Sequence, residues 1–269
     1  MTYTNEHKLL SSVQNERVKL WASLLEKKHR DRQRLFIIEG IHLVKEAITA
    51  GADIEAIVYD ADKGLPKEIV ELQSKTASFT EWFKATSNVM AKCTGTDSAP
   101  PIFAVMGKLK TNDEALYKPN SLVVVLDGVR DPGNVGTIIR SADAVGADAV
   151  LLGKGCVDLY NPKTVRSTMG SLFHLPIVEG ELKPYIERAK QQDIQIVGTS
   201  LQATQHCYAY NWKQGSWLVM GSESDGLSAE IETLVNQTVI IPMKGQSESL
   251  NVAMATTVLL YEALRQREF

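Results

Sequence analysis

Four residues able to bind or orient a substrate, Asn134, Gly136, Thr137 and Arg140, are spaced along one predicted strand–turn–helix junction. The Val-rich run Leu122–Leu126 before them predicts a strand buried on both faces, and the apolar residues after them recur at helical spacing. Asn134 stands where the helix N-cap is expected. Arg140 is expected on the polar face of this helix, from which its guanidinium could bind an anionic substrate.

A second candidate stretch, GSESDGLS at residues 221–228, directly follows another short apolar strand. Gly221 allows the backbone to approach a neighbouring group closely, and Gly226 favours a turn. Ser228 is the predicted N-cap of the next helix. Glu223, at the mouth of the strand, is either a solvated loop acid or the partner of a cation in a site.

The third stretch, residues 241–266, predicts a strand end, a loop rich in Gly and Ser, and a helix. Ser249 is the predicted N-cap and Asn251 is expected in the first turn. The loop 244–251 offers backbone N–H and C=O groups that could contact the edge of a base or a carboxylate. Plain capping would explain Ser249, but it does not explain the small polar residues before it.

Each stretch also has a plain structural explanation, in which the polar residues cap helices and Arg140 pairs with Asp143 one helical turn later. Together, however, they form three strand–loop–helix junctions with small or polar residues after the strand. Because ligands in parallel α/β sheets bind at the carboxyl ends of the strands, the three junctions predict one shared site.

The elements that would position this site alternate between strand and helix from residue 121 onward, which predicts an α/β fold with a parallel sheet covered on both faces. A smaller α/β unit precedes it, and the polar stretch 107–120 is the predicted linker. We therefore expect two domains, residues 1–107 and 118–269. In the first domain, helices are predicted at 11–34, 66–75 and 82–92, and strands at 35–38, 54–59 and 101–106.

Composition excludes several classes of protein. The chain of 269 residues has no apolar run near the ~20 residues that a membrane helix needs. Its beginning has no apolar core typical of a signal peptide. The three cysteines form no CxxC pair, so neither a zinc site nor a disulfide framework is indicated, and a reducing, cytoplasmic location is expected.

Charge distribution indicates a nucleic-acid partner more clearly than the net charge of −3 does. Between residues 17 and 34 there are seven Lys or Arg residues against two acidic ones, a local excess of five positive charges. Such a cluster suits a phosphate backbone, although a solvated helix face is equally compatible with charge alone. The candidate RNA-binding residues are Arg17, Lys27, Lys28, Arg30 and Arg32.

The three stretches, in this order, resemble the motifs of the SpoU (TrmH-like) RNA 2′-O-ribose methyltransferases of the SPOUT superfamily. The matching sequences are DPGNVGTIIRSADAVGAD, LVMGSESDGLS and IPMKGQSESLNVAMATTVLLYE, within residues 121–269. The N-terminal unit resembles the L30e-like substrate-binding extension of the family. One departure is SESDG, where the family more commonly has Gly after the Glu, so Ser224 and Asp225 alter the expected loop.

The resemblance implies a deep trefoil knot in the C-terminal domain, S-adenosylmethionine as cofactor, no metal, and a homodimer with the site near the subunit interface. It also implies that the N-terminal domain binds the RNA. The residues that it places in the catalytic set are Asn134, Arg140, Glu223, Ser249 and Asn251. Those that it places at the cofactor are Thr199, Gly221, Ile241, Met243 and Leu250.

Arg140 is the family's candidate for the base that removes the ribose 2′-OH proton. An Arg side chain is not normally deprotonated in proteins, because its pKa exceeds ~12. Arg140 could lose its proton in a dry site beside the sulfonium. Alternatively, it stays charged and clamps the adjacent phosphate while phosphate or water takes the proton, the hypothesis that we favour. Glu223 could then hold Arg140 in place.

Ribosomal RNA is the expected substrate, because the extended N-terminal domain resembles that of rRNA enzymes more than the short tRNA enzymes. The alternatives are a tRNA 2′-O-methyltransferase and a non-catalytic RNA-binding protein on the same fold. A dinucleotide-binding enzyme is disfavoured, since DPGNVG stands where GxGxxG would be required. Fragment 118–269 is expected to bind the cofactor and to methylate poorly.

Overall fold

The computed structural model of the protein describes residues 7–96 and 98–269. This part of the chain divides into two compact units. The first contains the described residues up to Leu109 and the later segment Tyr160–Phe173, and the second contains Lys110–Leu159 and His174–Phe269. None of the described helices is long and apolar enough to span a membrane.

The first unit is built on a five-stranded mixed sheet and the helices that cover it. In the order β1-β4-β3-β5-β2, the first three strands are parallel and β5 is antiparallel to both neighbours. One face packs around Trp21, Phe83 and Phe103. The strands are β1 (Lys8–Leu10), β2 (Leu35–Glu39), β3 (Ile54–Asp60), β4 (Glu81–Ala85) and β5 (Ile102–Gly107), and the helices are α1 (Glu16–Ser23), α2 (Lys27–Gln33), α3 (Ile41–Thr49), α4 (Lys67–Val70) and α5 (Ser87–Thr94).

The second unit is built on a six-stranded, wholly parallel sheet in the order β11-β9-β10-β6-β7-β8. Its strands are β6 (Leu122–Leu126), β7 (Ala149–Gly153), β8 (Ile177–Gly180), β9 (Gln195–Thr199), β10 (Ser216–Met220) and β11 (Gln237–Val239). The helices that follow in the chain are α6 (Pro132–Ala144), α7 (Pro162–Ser167), α8 (Leu182–Lys190), α9 (Ala229–Glu232) and α10 (Val252–Glu268), of which α7 belongs to the first unit.

The predicted α/β class with a parallel sheet is confirmed. Every residue of β6, β7 and β10 is buried, as expected for Val- and Leu-rich strands in the middle of a sheet covered on both faces. Helix α10 packs against α6, so the helices of the first and third motifs are neighbours. The trefoil knot stays a prediction from the family resemblance.

The single helix predicted for residues 11–34 is wrong, because two short helices, α1 and α2, are separated by a break at Leu24–Glu26. The side chain of Arg30 is buried beneath this break. Its Nη1 donates hydrogen bonds to the carbonyl oxygens of Leu24 at 2.7 Å and Leu25 at 2.8 Å. A buried guanidinium thus satisfies carbonyl groups that the interrupted helix leaves without partners.

Two further helix predictions in the first unit also need correction. Residues 81–85 form strand β4 instead of the start of a helix, because Phe83 and Ala85 alternate into the core with the period of a strand. The helix predicted from Pro66 is reduced to the four residues of α4 and a separate 3₁₀ turn at Gln73–Lys75. In β4, the alternating burial of side chains therefore overrode the local helix signal.

The predicted linker is partly ordered against the second unit. Residues Asp113–Tyr117 form a 3₁₀ turn in which the Tyr117 ring lies 5.6 Å from that of Trp217. The guanidinium of Arg188 lies 3.9 Å from the centroid of the Tyr117 ring and donates to both carboxylate oxygens of Glu114 at 2.9 Å. This stretch therefore packs as an element of the second unit.

The segment Tyr160–Phe173, which the sequence-based division assigned to the second domain, packs with the first unit. Arg166 Nη1 lies 3.0 Å from Glu39 Oε2, and the carbonyl of Met169 lies 2.9 Å from His42 Nε2. Val165 and Leu172 are buried there. Fragment 118–269 would expose both side chains, so functional tests are better made on the full chain.

Because Arg30 is 3% exposed and bonded to two backbone carbonyls, replacing it by Met should destabilise the full chain. We expect the free energy of unfolding to fall by about 2–4 kcal/mol, since the carbonyls would lose a charged donor. Arg32→Met, two residues away on the exposed side, should change it by less than about 0.5 kcal/mol. Urea unfolding measures both, and equal losses would contradict the assignment.

Candidate active site

A cavity of about 730 Å³ lies at the carboxyl ends of β9, β10 and β11. Such a volume suits a nucleoside-sized ligand. All five residues that the family resemblance places at the cofactor line this cavity, and three of the five catalytic candidates line it too. These residues are Thr199, Gly221, Ile241, Met243 and Leu250, together with Glu223, Ser249 and Asn251.

The loop after β10 forms a tight turn, in which Ser222 and Gly226 are joined by two backbone hydrogen bonds directly after Gly221. The backbone N–H of Ser222 donates to the carbonyl of Gly226 at 2.9 Å, and that of Gly226 donates back at 3.1 Å. A Cβ at Gly221 would lie 2.1 Å from the carbonyl carbon of Gly226 and 2.4 Å from the nitrogen of Leu227. Glycine is therefore required sterically at position 221, as the predicted close backbone approach implies.

The residues that depart from the family pattern stabilise this loop internally. The backbone N–H of Asp225 donates to Ser222 Oγ at 3.0 Å, and Ser224 Oγ donates to Asp225 Oδ2 at 2.7 Å. Beyond the turn, the N–H of Ser228 donates to the carboxylate of Asp127 at 2.7 Å, just after the end of β6. These bonds fix the loop at both ends and leave the Glu223 side chain to contact the first motif.

Asn134 is not the N-cap of α6, contrary to expectation. Asp131 has that role, because its Oδ1 accepts a hydrogen bond from the N–H of Asn134 at 2.9 Å and Pro132 occupies the first helical position. The side-chain amide of Asn134 is consequently not used for capping and can contact another residue. Its Nδ2 donates to Glu223 Oε1 at 2.6 Å.

The N-cap of α10 also differs from the prediction, since it is Asn251, two residues after the predicted Ser249. Asn251 Oδ1 accepts from the N–H groups of Ala253 at 3.0 Å and Met254 at 3.3 Å. Its Nδ2 donates to Asn134 Oδ1 at 3.1 Å. One hydrogen-bonded row, Glu223–Asn134–Asn251, thus joins the three motifs, and Ser249 stays exposed in the adjoining loop.

Arg140 lies apart from this row. It is exposed on α6, does not line the cavity, and forms no salt bridge with a residue of the described ranges. Its expected partner Asp143 instead bonds His174 Nδ1 at 2.9 Å, and Glu223, the other suggested partner, bonds Asn134. The structure thus brings together four of the five catalytic candidates within one chain and leaves Arg140 facing outward.

The RNA-binding candidates lie on the first unit, and several have acidic partners. Arg17 pairs with Glu81 of β4, Lys27 with Asp31 at 3.3 Å, and Lys28 with Glu26 at 2.8 Å. The exposed Arg32 belongs to α2. Arg30 is buried and bonded to carbonyl groups, so its guanidinium is not presented to RNA. The partner Glu81 comes from a distant strand, and local charge counting therefore missed it.

Sequence reasoning missed two residues that shape the site. Asp131 could have been found, because Asp followed by Pro is a typical helix start. Asp127 gave no local signal, since its partner Ser228 is far along the chain. Within the described residues no cluster suits a metal ion. The three cysteines are free, and burial raises the pKa of the Cys93 thiol to about 12, so this thiol is unreactive.

Comparison with known proteins identifies the family of the chain. The family model of the SpoU rRNA methylase family matches residues 121–261, and that of the MRM3-like substrate binding domain matches residues 15–104. The chain belongs to the SpoU rRNA methylase family. Its class is therefore that of methyltransferase enzymes, and S-adenosylmethionine is its cofactor.

Particular relatives extend over nearly the whole chain. The 23S rRNA (guanosine(2553)-2′-O)-methyltransferase RlmP of Bacillus subtilis is 34% identical, with 94% of this chain and 98% of the relative covered. The solved structure of the SpoU methyltransferase AviRb from Streptomyces viridochromogenes with AdoMet has a TM-score of 0.86 at 33% identity, covering 94% of this chain and 98% of the other. An AdoMet-bound rRNA methyltransferase from Sinorhizobium meliloti has a TM-score of 0.86 at 32% identity, covering 96% and 97%.

Gly221→Ala should distort the cavity at the ends of β9, β10 and β11, because the added Cβ would overlap the backbone at Gly226. We expect S-adenosylmethionine affinity to fall at least about tenfold, since small displacements of a built site have large effects. Gly245→Ala is the matched control: no described atom lies within 4 Å of its Cβ position, and its affinity should be unchanged. Calorimetric titration of both folded variants measures this, and an unaffected Gly221→Ala protein would refute the steric argument.

Proposed function

We propose that this protein transfers a methyl group from S-adenosylmethionine to the 2′-oxygen of one ribose in the large ribosomal RNA. The observation that carries the proposal is the row Glu223–Asn134–Asn251 at the mouth of the cofactor cavity. The relatives support the reaction, since RlmP and the uridine(2479) enzyme of Streptomyces viridochromogenes are both named 23S rRNA 2′-O-methyltransferases.

Thr199, Gly221, Ile241, Met243 and Leu250 are the residues that we propose hold the cofactor, which supplies an electrophilic methyl group when bound. Their mixed polar and apolar character suits an adenosine ring and an amino-acid chain in one cavity. At the mouth, the amides of Asn134 and Asn251 are already oriented by Glu223 and by the α10 backbone. With Ser249, they would orient the ribose, because groups held in place before binding lose little entropy.

Arg140 assists the removal of the 2′-hydroxyl proton in this proposal, but it does not accept the proton itself. Arg140 is exposed on α6, where its guanidinium is accessible to a phosphate group of the RNA. We therefore favour the clamp: the planar guanidinium binds the phosphate beside the target ribose and stabilises the developing alkoxide, while phosphate or water takes the proton. Nothing in the site requires a metal for this step.

We propose a homodimer in which Arg140 serves the cavity of the second copy. Two observations support it: Arg140 is outside its own cavity, and the exposed side of α10 carries Met254 and Tyr261, which are 61% and 50% exposed and two helical turns apart. Leu250, 40% exposed at the cavity mouth, adds to this apolar surface. Burying such side chains is favourable, and a two-fold axis would bring both copies of the surface together.

RNA capture is the role that we propose for the first unit. Lys27, Lys28 and Arg32 on α2, with Arg17 on α1, are the phosphate contacts, and Arg30 is withdrawn from the set because it is buried. The match to a substrate-binding domain supports this role. A cytoplasmic location stays part of the proposal.

Transfer RNA is the second candidate substrate, and the extent of the similarity disfavours it. The match to a solved structure that concerns 2-OH methylation of C/U34 on tRNA covers 95% of that chain but 54% of this one, with a TM-score of 0.50 and 30% identity. The alignments with RlmP and with the uridine(2479) enzyme, both named for 23S rRNA, each cover 94% of this chain and therefore include most of the first unit.

The function is tested by mapping ribose methylation in rRNA and tRNA from a strain that lacks the protein. One 2′-O-methyl mark in the large rRNA should disappear, and purified protein with S-adenosylmethionine should restore it on the unmodified RNA. Asn134→Ala protein should not restore it, because the row of hydrogen bonds is broken. Loss of a tRNA mark with intact rRNA would select the tRNA alternative, and no loss in either would favour a binding protein.

Arg140→Ala and Arg140→Lys should separate the two roles considered for Arg140. Ala should remove most activity while cofactor affinity changes little, because Arg140 does not line the cavity. If deprotonation were the role, Lys, with a lower pKa, should regain activity as the pH rises toward ~10. We expect activity to stay low and flat instead, because an ammonium cannot reproduce the bidentate fork. Single-turnover rates from pH 7 to 10 measure this.

Mixed dimers should reveal whether Arg140 acts on the other chain. Arg140→Ala protein keeps its cavity, and Gly221→Ala protein keeps its Arg140. At a cofactor concentration too low to saturate the Gly221→Ala protein, each variant alone should have little activity. The exchanged mixture should recover about a quarter of the wild-type activity, because half of the dimers are mixed and each has one complete site. Asn251→Ala can replace Gly221→Ala if the latter does not fold. An inactive mixture with demonstrated subunit exchange would place Arg140 in its own chain's site.

A further inference from the structure

The charged side chains that line the cofactor cavity all have the same sign. Four carboxylates line it, and no Lys, Arg or His residue does within the described part of the chain; the four are Glu223, Asp225, Glu232 and Glu248. None of them forms a salt bridge with a described residue, and the hydrogen bonds that Glu223 and Asp225 accept come from an amide and from hydroxyl groups. Among the described residues of the same chain, no basic side chain therefore lines the cavity to neutralise its negative charge.

The acid next to this set shows the contrast. Glu230 lies two residues before Glu232 on α9, does not line the cavity, and pairs with Lys183 at 3.8 Å. Glu230 and Glu232 thus lie on the same helix and are both exposed, but only the carboxylate of Glu232 adds negative charge to the cavity. The two residues form a natural pair for comparison.

Methyl transfer changes the charge of the cavity's ligand. The C–S bond breaks and its electron pair stays on sulfur, so the sulfonium becomes a neutral thioether. A C–O bond forms at the ribose, and the hydroxyl proton leaves to phosphate or water. The ligand's net charge therefore falls from +1 for S-adenosylmethionine to 0 for S-adenosylhomocysteine.

We propose that the acidic lining of this cavity, with Glu232 and Glu248 as its adjustable part, selects the sulfonium cofactor over its demethylated product. The inference rests on the proposed function, since it concerns the same cavity. A cleft lined by one sign of charge concentrates its field inside, so it attracts a cation more than a neutral molecule of the same shape. The product would then be released because transfer removes the charge that held it.

The size of the effect follows from simple electrostatics. One carboxylate at ~7 Å from a unit charge, in a medium close to water, changes affinity by roughly two- to threefold at low salt. Two acids together should therefore change it by about four- to ninefold. Salt should weaken this discrimination, because the Debye length falls from ~30 Å at 0.01 M to ~10 Å at 0.1 M ionic strength.

The test is calorimetric titration of the full chain with three ligands at 0.01 M and 0.15 M NaCl. The ligands are S-adenosylmethionine, S-adenosylhomocysteine and sinefungin, which carries an ammonium group in place of the sulfonium. The proteins are wild type, the double variant Glu232→Gln with Glu248→Gln, and the control Glu230→Gln. Both Gln variants keep side-chain volume and remove only charge, and circular dichroism checks that each is folded.

Wild type and Glu230→Gln should bind S-adenosylmethionine and sinefungin more tightly than S-adenosylhomocysteine, and high salt should reduce that difference. The double variant should lose at least about fourfold of the discrimination, with S-adenosylhomocysteine affinity unchanged. Equal affinities for the three ligands in wild type, or an unchanged ratio in the double variant, would overturn the inference and leave the proposed function intact. No binding of any ligand would instead refute the cofactor site itself.

Discussion

The parallel register of β6, β9 and β10 is the constraint on which the candidate chemistry depends. Met220 at the end of β10 lies opposite Leu126 at the end of β6, and Val219 lies opposite Gly198 near the end of β9. The backbone N–H of Asp127 then donates to the carbonyl of Met220 at 2.9 Å. Because the strands end level with one another, the loops that leave them begin side by side and can share one cavity.

This register converts large sequence separations into hydrogen bonds. Asn134 lies in the first turn of α6, Glu223 in the loop after β10 and Asn251 at the start of α10, yet their side chains meet at 2.6 and 3.1 Å. Two of these residues also have local roles: Asn251 caps α10, and the Asn134 N–H is capped by Asp131. The capping hydrogen bonds at the starts of α6 and α10 therefore also fix the positions of Asn134 and Asn251, as a site that orients its substrate requires.

The sequence alone predicted the junctions well, because strand burial, turn formers and helical spacing are local signals. The N-caps were predicted wrongly: Asn134 was predicted for α6, where Asp131 is the cap, and Ser249 for α10, where Asn251 is the cap. All four are good capping residues, and the choice depends on which side chain a distant motif engages. The assignment of Arg30 to the RNA-binding set was wrong for a related reason. Seven basic residues close together indicate a solvated surface, but the helix break after Leu24 leaves carbonyl groups free, and the buried Arg30 side chain binds two of them.

Non-local packing also explains why the domain division could not be predicted fully. Helix α7 has six residues, including Lys163, Arg166 and Ser167. Nothing in this short sequence indicates which of the two units the helix packs with. The ion pair between Arg166 and Glu39, and the burial of Val165, are formed with a sheet far upstream in the sequence. Such pairings depend on tertiary structure, which periodicity cannot report.

The membership of Tyr160–Phe173 in the first unit has a consequence for synthesis on the ribosome. The last strand of that unit, β5, is complete at Gly107, but α7 emerges only after β6, α6 and β7 have been made. Until then the nascent first unit lacks the residues that cover part of its surface, Val165 and Leu172 among them. The folding of the first unit therefore cannot finish in the order of translation, and the growing chain must keep this surface uncovered while residues Lys110–Leu159 of the second unit are synthesised.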